Sequence, residues 1–136
     1  MSRRMVWGPT FEEMLHPDKI DPAIRAKALA AKESDPLSEI NLYNITWKRP
    51  DGKPCYIVLP RELTGVDANI IALYGRDFPT RSHKVGATYT VTMEKQLLGE
   101  IAPGEHTLVY PSTGNYGIGG AWVGPRMGYD SVVILP

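Results

Sequence analysis

Apolar positions along this chain change their period several times, and each change marks an element. Thr10 and Glu13 form a capping box for a short helix through Leu15, which His16–Pro17 closes because the residue before a proline is pushed out of the helical region. Asp21–Pro22 starts a longer helix. The aspartate can accept from free N–H groups of the first turn, and the proline brings a helical φ to the first position. An alanine-rich run to about Glu33 follows, with Ile24, Ala28 and Ala31 on one face, and Ser34–Asp35–Pro36 ends it. Residues 40–47 and 55–59 are rich in β-formers and flank Pro50–Asp51–Gly52, where proline fixes φ and glycine supplies a positive one, so this region predicts a hairpin.

In the second half, residues 60–68 read as a loop and 69–74 as a buried strand. From Ser82 or Lys84 to Leu98 the spacing of Ala87, Val91 and Leu98, with Tyr89 and Met93, predicts a helix that Gly99 caps; Thr88, Thr90, Val91 and Thr92 weaken it through their branched β-carbons. A strand over 106–110 follows. The next helix, from about Tyr116, must tolerate several glycines and Pro125, so it is short or kinked, and Gly128 ends it. Residues 131–135 are almost wholly apolar, the pattern of a strand covered on both faces of a parallel sheet. Strand, helix, strand, helix, strand in this order predicts an α/β fold with right-handed βαβ units.

Composition narrows the function classes. The 136 residues, 43% of them apolar and 22% charged, suit a single domain with a modest core. Fifteen basic side chains balance fifteen acidic ones, so there is no global field to draw nucleic acid or an anionic membrane, and Arg3–Arg4 is too short a basic start to change that. No run of about eighteen apolar residues is present to span a bilayer. The single Cys55 excludes an internal disulfide, and the N-terminus has no continuous apolar stretch of the secretory kind, which together fit a cytoplasmic setting. His16, His83 and His106 are too scattered for a metal site, and Cys55 reads as a small buried hydrophobe.

Chemistry concentrates at Pro111–Ser112–Thr113–Gly114–Asn115–Tyr116–Gly117–Ile118–Gly119–Gly120, on a strand-to-helix turn. Glycine lets the backbone approach a ligand, Ser112 and Thr113 offer hydroxyls, and the helix start offers unpaired N–H groups at a positive dipole end: a place for a carboxylate or phosphate. Ser112 lacks the Gly-x-Ser-x-Gly setting of a hydrolase nucleophile.

The order of segments extends this reading. Pro79–Thr80–Arg81–Ser82–His83–Lys84, a helix, Ile101–Ala102–Pro103–Gly104–Glu105–His106–Thr107, a strand and then Ser-Thr-Gly-Asn resembles the pyridoxal-phosphate enzymes of fold type II, the cysteine synthase and tryptophan synthase β type. There a P-T-G-S-x-K-D-R segment carries the Schiff-base lysine, and an L-x-P-G-D-T turn leads to S/T-S/T-G-N. The resemblance is good over residues 69–136 and faint before, where Pro36–Leu37 correspond to a T-P-L segment. Two departures stand out: Arg81 replaces the family's glycine, and Val85–Gly86 replaces the Asp-Arg after the lysine.

The resemblance implies the N-terminal part of such a fold: residues 1–35 as a helical arm, and 36–136 as an incomplete portion of the catalytic fold carrying the lysine and the asparagine loop. It implies pyridoxal 5'-phosphate as cofactor and a small amino acid as substrate, taken through α,β-elimination or β-replacement as in cysteine synthase-like, desulfhydrase or dehydratase enzymes. Lys84 would be the Schiff-base residue and the acid/base for the α-proton. Ser112, Thr113, Gly114, Asn115 and Tyr116 would hold the substrate carboxylate, Asn115 also reaching the cofactor's 3′ oxygen, with Ser82 near the cofactor. The blander readings stay beside these: a solvated lysine, a turn-and-cap role for residues 112–115, a cap for Ser82, and packing for Tyr116 and His83. The family's phosphate-binding glycine loop comes later than this sequence reaches. A second segment, from the same or a separate chain, and a homo-oligomer are therefore expected, and the alternative is a non-catalytic fragment or binding module.

Overall fold

Thr10 and Asp21 start helices as their positions require. Thr10 Oγ1 accepts from Glu13 N at 3.2 Å while Glu13 Oε2 accepts from Thr10 N at 2.8 Å, and Asp21 Oδ1 accepts from Ala23 N and Ile24 N at 2.8 and 3.2 Å. In the computed structural model, which describes residues 4–49 and 51–136, these caps open α1 (Phe11–Leu15) and α2 (Pro22–Ser34). Then come β1 (Tyr56–Leu59), α3 (Arg61–Thr64), β2 (Ile70–Leu73), α4 (Lys84–Leu97), β3 (Thr107–Pro111), α5 (Asn115–Arg126) and β4 (Asp130–Ile134), with 3-10 turns at Pro17–Lys19 and Glu39–Asn44. The architecture is mixed α/β with two small sheets. Gly99 and Gly128 follow α4 and α5 with φ of 70° and 86°, which glycine reaches without a Cβ penalty. Pro125 lies in the last turn of α5.

The expected hairpin is not formed by residues 40–47. Gly52, with φ of 76°, donates to Arg49 O at 2.9 Å, but this turn joins no pair of strands, and Pro50 lies outside the described residues. β1 instead pairs antiparallel with β2, from Tyr56↔Leu73 to Leu59↔Ile70. Asparagine explains the difference. The Asn44 side-chain amide donates to Ala28 O at 2.6 Å and that of Asn41 to Asp35 O at 2.8 Å, so the 39–44 segment is curled and tied to α2 by side chains that compete with a ladder. Leu42 and Ile45 are fully buried beside them.

Three further expectations change. Residues 60–68 contain α3, closed by Gly65 at φ 67°. β2 is not a buried strand, since Ile71 and Leu73 are exposed. β4 is not covered on both faces: it pairs in parallel with β3 alone, from Thr107↔Asp130 to Pro111↔Ile134, and Val132 and Ile134 are exposed. With α5 on one side, this two-stranded sheet has its other face open among the described residues. The βαβ unit is therefore β3–α5–β4, and β2 belongs to the other sheet.

The core joins Met14, Leu42 and Ile45 from the first third to Val85 and Tyr89 of α4, Val123 of α5, and Met127 and Tyr129. Buried phenols close it. Tyr89, wholly inaccessible, donates to Pro9 O at 2.8 Å, and Tyr129 donates to Gln96 Oε1 at 2.7 Å while Gln96 Nε2 donates to Val6 O at 3.2 Å. No helix among the described residues is long and apolar enough to cross a membrane.

Burial pushes the phenols of Tyr89, Tyr110 and Tyr129 above their ordinary value. Each group favours its protonated form in the folded state, so the stability it contributes is complete below the unfolded value of about 10 and is lost as pH rises past it. Urea unfolding should show stability falling above about pH 10, by at most about 1.4 kcal/mol per pH unit for each phenol. Tyr89→Phe should cost roughly 1 kcal/mol at pH 8 and make the alkaline fall shallower. An unchanged alkaline slope in that variant would show that Tyr89 does not drive it.

Candidate functional site

The two starts of α4 and α5 lie side by side because α5 carries glycine where it faces α4. A Cβ on Gly119 would sit 2.7 Å from Thr88 Oγ1 and 3.1 Å from Lys84 O, closer than real Cβ atoms come without displacement. At the other end Tyr129, just beyond α5, meets Gln96 in the last turn of α4. Contacts of start with start and end with end mean that the helices run in the same direction. Their positive dipole ends are therefore together, each equivalent to about half a charge, an arrangement that an anion stabilises.

Lys84 is the first residue of α4 and is exposed. Its ammonium group has no carboxylate or hydrogen-bond partner among the described residues; its backbone N–H donates to Ser82 Oγ at 3.3 Å. Ser82 is buried, so its hydroxyl holds the turn that delivers Lys84, whereas His83 is exposed and makes no side-chain cap. Gly75 lets that turn close, since a Cβ there would lie 2.9 Å from Ser82 Cα and 3.0 Å from His83 N.

On the second helix, Ser112 Oγ accepts from Gly114 N at 3.3 Å, which bends the chain into α5. Thr113, Gly114 and Asn115 are exposed, and Tyr116 packs edge-on to Tyr110 with ring centroids 5.8 Å apart. The cap residue Gly114 offers no side chain, and among the described residues the N–H groups of Asn115 and Tyr116, the first two of α5, have no hydrogen-bond partner. A primary amine on Lys84, and the hydroxyls of Ser112 and Thr113 with the carboxamide of Asn115, thus stand at or just before two adjacent helix starts. The set can receive a carboxylate and hold a carbonyl carbon at the amine.

Two contributors were not legible as such in the sequence. Gly119 and Gly75 matter through what they face across the fold, and nothing local marks them. The third feature was visible but unexplained: Arg81, at the position of the resembled family's glycine, is the non-glycine residue found with a positive φ among the described residues, at 56°. The turn before Lys84 is left-handed, and its side chain is not the one that suits it.

No family model matches the chain. Among curated proteins it is 35% identical over 78 residues to cystathionine beta-synthase of Saccharomyces cerevisiae, an alignment that takes in 57% of this chain and 15% of that relative. The chain thus spans only a small part of the length of the curated relative it matches.

Arg81→Gly should relieve the left-handed strain and stabilise the protein by up to about 1 kcal/mol, a few degrees in Tm. Arg81→Val, with a branched β-carbon at the same φ, should destabilise by about 1–3 kcal/mol. Thermal unfolding of the two variants in parallel checks this, and equal melting temperatures would mean that the turn is not held at positive φ.

Proposed function

We propose that this chain carries the lysine and carboxylate-binding half of a pyridoxal-phosphate site that acts on a small amino acid by α,β-elimination or β-replacement. The observation that carries the reading is the contact of the N-terminal halves of α4 and α5 through Gly119, which leaves Lys84 and residues 112–116 at one end of the helix pair. The fold-type II resemblance of the sequence and the partial similarity to cystathionine beta-synthase support the same lyase or transferase class.

The donor set fits two ends of such a complex. Lys84 Nζ, exposed and without a carboxylate partner, would hold the cofactor's aldehyde carbon and, once displaced by the substrate amine, accept the proton from the α-carbon. Ser112, Thr113 and the first N–H groups of α5 would grip the substrate carboxylate, and Asn115 would serve the carboxylate and the 3′ oxygen. Gly114 leaves room for that approach, and Ser82 positions Lys84 through its backbone. Bound pyridoxal 5'-phosphate supplies an electron sink for charge developing at the α-carbon. Its phosphate needs N–H donors that residues 112–116, already given to the carboxylate, do not spare.

The reading therefore includes a further segment, of the same polypeptide or of a second chain, packed on the open face of β3–β4 where Val109, Val132 and Ile134 are exposed. That open sheet also favours a second reading, in which the chain binds without turning anything over. Turnover of an amino acid separates the two.

Borohydride reduction of the cofactor-loaded protein followed by peptide mapping should place the added mass on Lys84, and Lys84→Ala should abolish it together with turnover. Mass on another lysine, or full activity of the variant, would overturn the assignment. Thr113→Ala should lower kcat/KM for the amino acid by a factor worth roughly 1–3 kcal/mol while the visible absorbance of the resting protein stays. Unchanged kinetics would remove the loop from the carboxylate site.

A further inference from the structure

A second charged region lies apart from Lys84 and residues 112–116. A cleft of about 580 Å³ is lined by Lys32 from the end of α2, Arg76 and Arg81 from the turn before α4, and Arg126 from the last turn of α5. A neighbouring cleft of about 430 Å³ shares Lys32 and Arg76 and adds Arg25, Lys48 and Arg49. Against these seven cations the linings hold one carboxylate, Asp77. The chain has fifteen basic and fifteen acidic side chains, so nearly half of its positive charge faces one concave surface.

Like charges so gathered repel unless something offsets them, and the protein offsets little. Arg49 lies near Asp77 and Asp51 at 3.9 and 4.0 Å, but among the described residues none of the other six has a carboxylate partner. Arg126 is the clearest case. It is 7% exposed; Nη1 donates to Trp122 O at 2.6 Å and Nη2 to Pro36 O, its guanidinium lies 3.8 Å from the centre of the Trp122 ring, and Nε is buried with no partner. Arg25, half-buried, is likewise spent on the carbonyl of Tyr43, at 2.7 Å. These bonds hold the guanidinium groups in place and leave their charge uncompensated, which is what a preorganised anion receptor requires. Burial lowers the pKa of both arginines. Asn41 and Asn44 add polar wall, and Phe78 and Trp122 add apolar wall.

We infer that these adjoining clefts bind a small polyanion, a ligand carrying two or more phosphate or carboxylate groups. Their concavity and size suit a metabolite-sized ligand. The chain's zero net charge supplies no long-range field to draw a polynucleotide. Arg81 also gains a use: at the position of the resembled family's glycine, it accepts a strained φ and contributes a cation that glycine could not.

Titration calorimetry of the intact protein at low ionic strength, with tripolyphosphate and citrate as separate probes, tests this and tells phosphate from carboxylate recognition. At least one should bind saturably at one per chain. Affinity should fall about tenfold or more in Lys32→Gln/Arg76→Gln, whose changes lie on exposed side chains, and should also fall in Arg81→Gly, a variant expected to fold at least as well as the parent. Lys84→Ala should bind the probe as the parent does, which keeps this site separate from the proposed cofactor site. Absence of saturable binding by both probes, equal affinity in the cleft variants, or loss of binding in Lys84→Ala would each overturn it.

Discussion

The close approach of α4 and α5 governs what the rest of the structure can do. It exists because Gly119 has no side chain to hold Thr88 and the Lys84 carbonyl away, and because Gly120 gives room in the same way to the Tyr110 ring. Two helices packed in the same direction bring like dipole ends together at a cost of tenths of a kcal/mol to about one, which tertiary packing easily exceeds. The consequence is a pair of helix starts that attract negative charge, placed where the lysine and the Ser-Thr-Gly-Asn loop emerge. An anion bound there would gain from both dipoles at once.

Polar groups, more than apolar area, fasten the first third of the chain to this pair. Tyr89 reaches back to Pro9 and Gln96 to Val6, over eighty and ninety residues of sequence, while Asn41 and Asn44 fix the 39–44 turn to α2. Each such bond contributes only about 1 kcal/mol net, but a buried donor or acceptor left unpaired costs more, so these contacts select one arrangement among many compact ones. The two sheets are built on opposite terms. Each has two strands and exposes valine, isoleucine or leucine on at least one face, so apolar surface that a larger sheet would cover is left open on both.

The turn over residues 75–84 links the two candidate sites. Gly75 lets the turn fold against itself, Ser82 bonds to the start of α4, and Arg81 adopts a left-handed conformation between them. From that one turn Lys84 opens α4, and the side chains of Arg76 and Arg81 line the basic cleft. A ligand in either place would bear on the conformation of the same ten residues.

By itself the sequence determined α1, α2, α4 and α5, though not α3, because their signals are local: Thr10 with Glu13, Asp21 before Pro22, Gly99 and Gly128 in positive φ, all realised through bonds and angles within a few residues. It also determined which residues carry candidate chemistry, since the Lys84 segment and residues 112–116 were legible from type and order. Only the tertiary structure decided which strands pair. The β-formers of residues 40–47 were diverted by two asparagines bonding to carbonyls of residues 28 and 35, and a strand pairs with what the fold brings alongside it, which no local pattern encodes. The basic cleft is legible only in three dimensions for the same reason. Its cations lie between residues 25 and 126 in a chain whose charges sum to zero, and only folding places them on one surface.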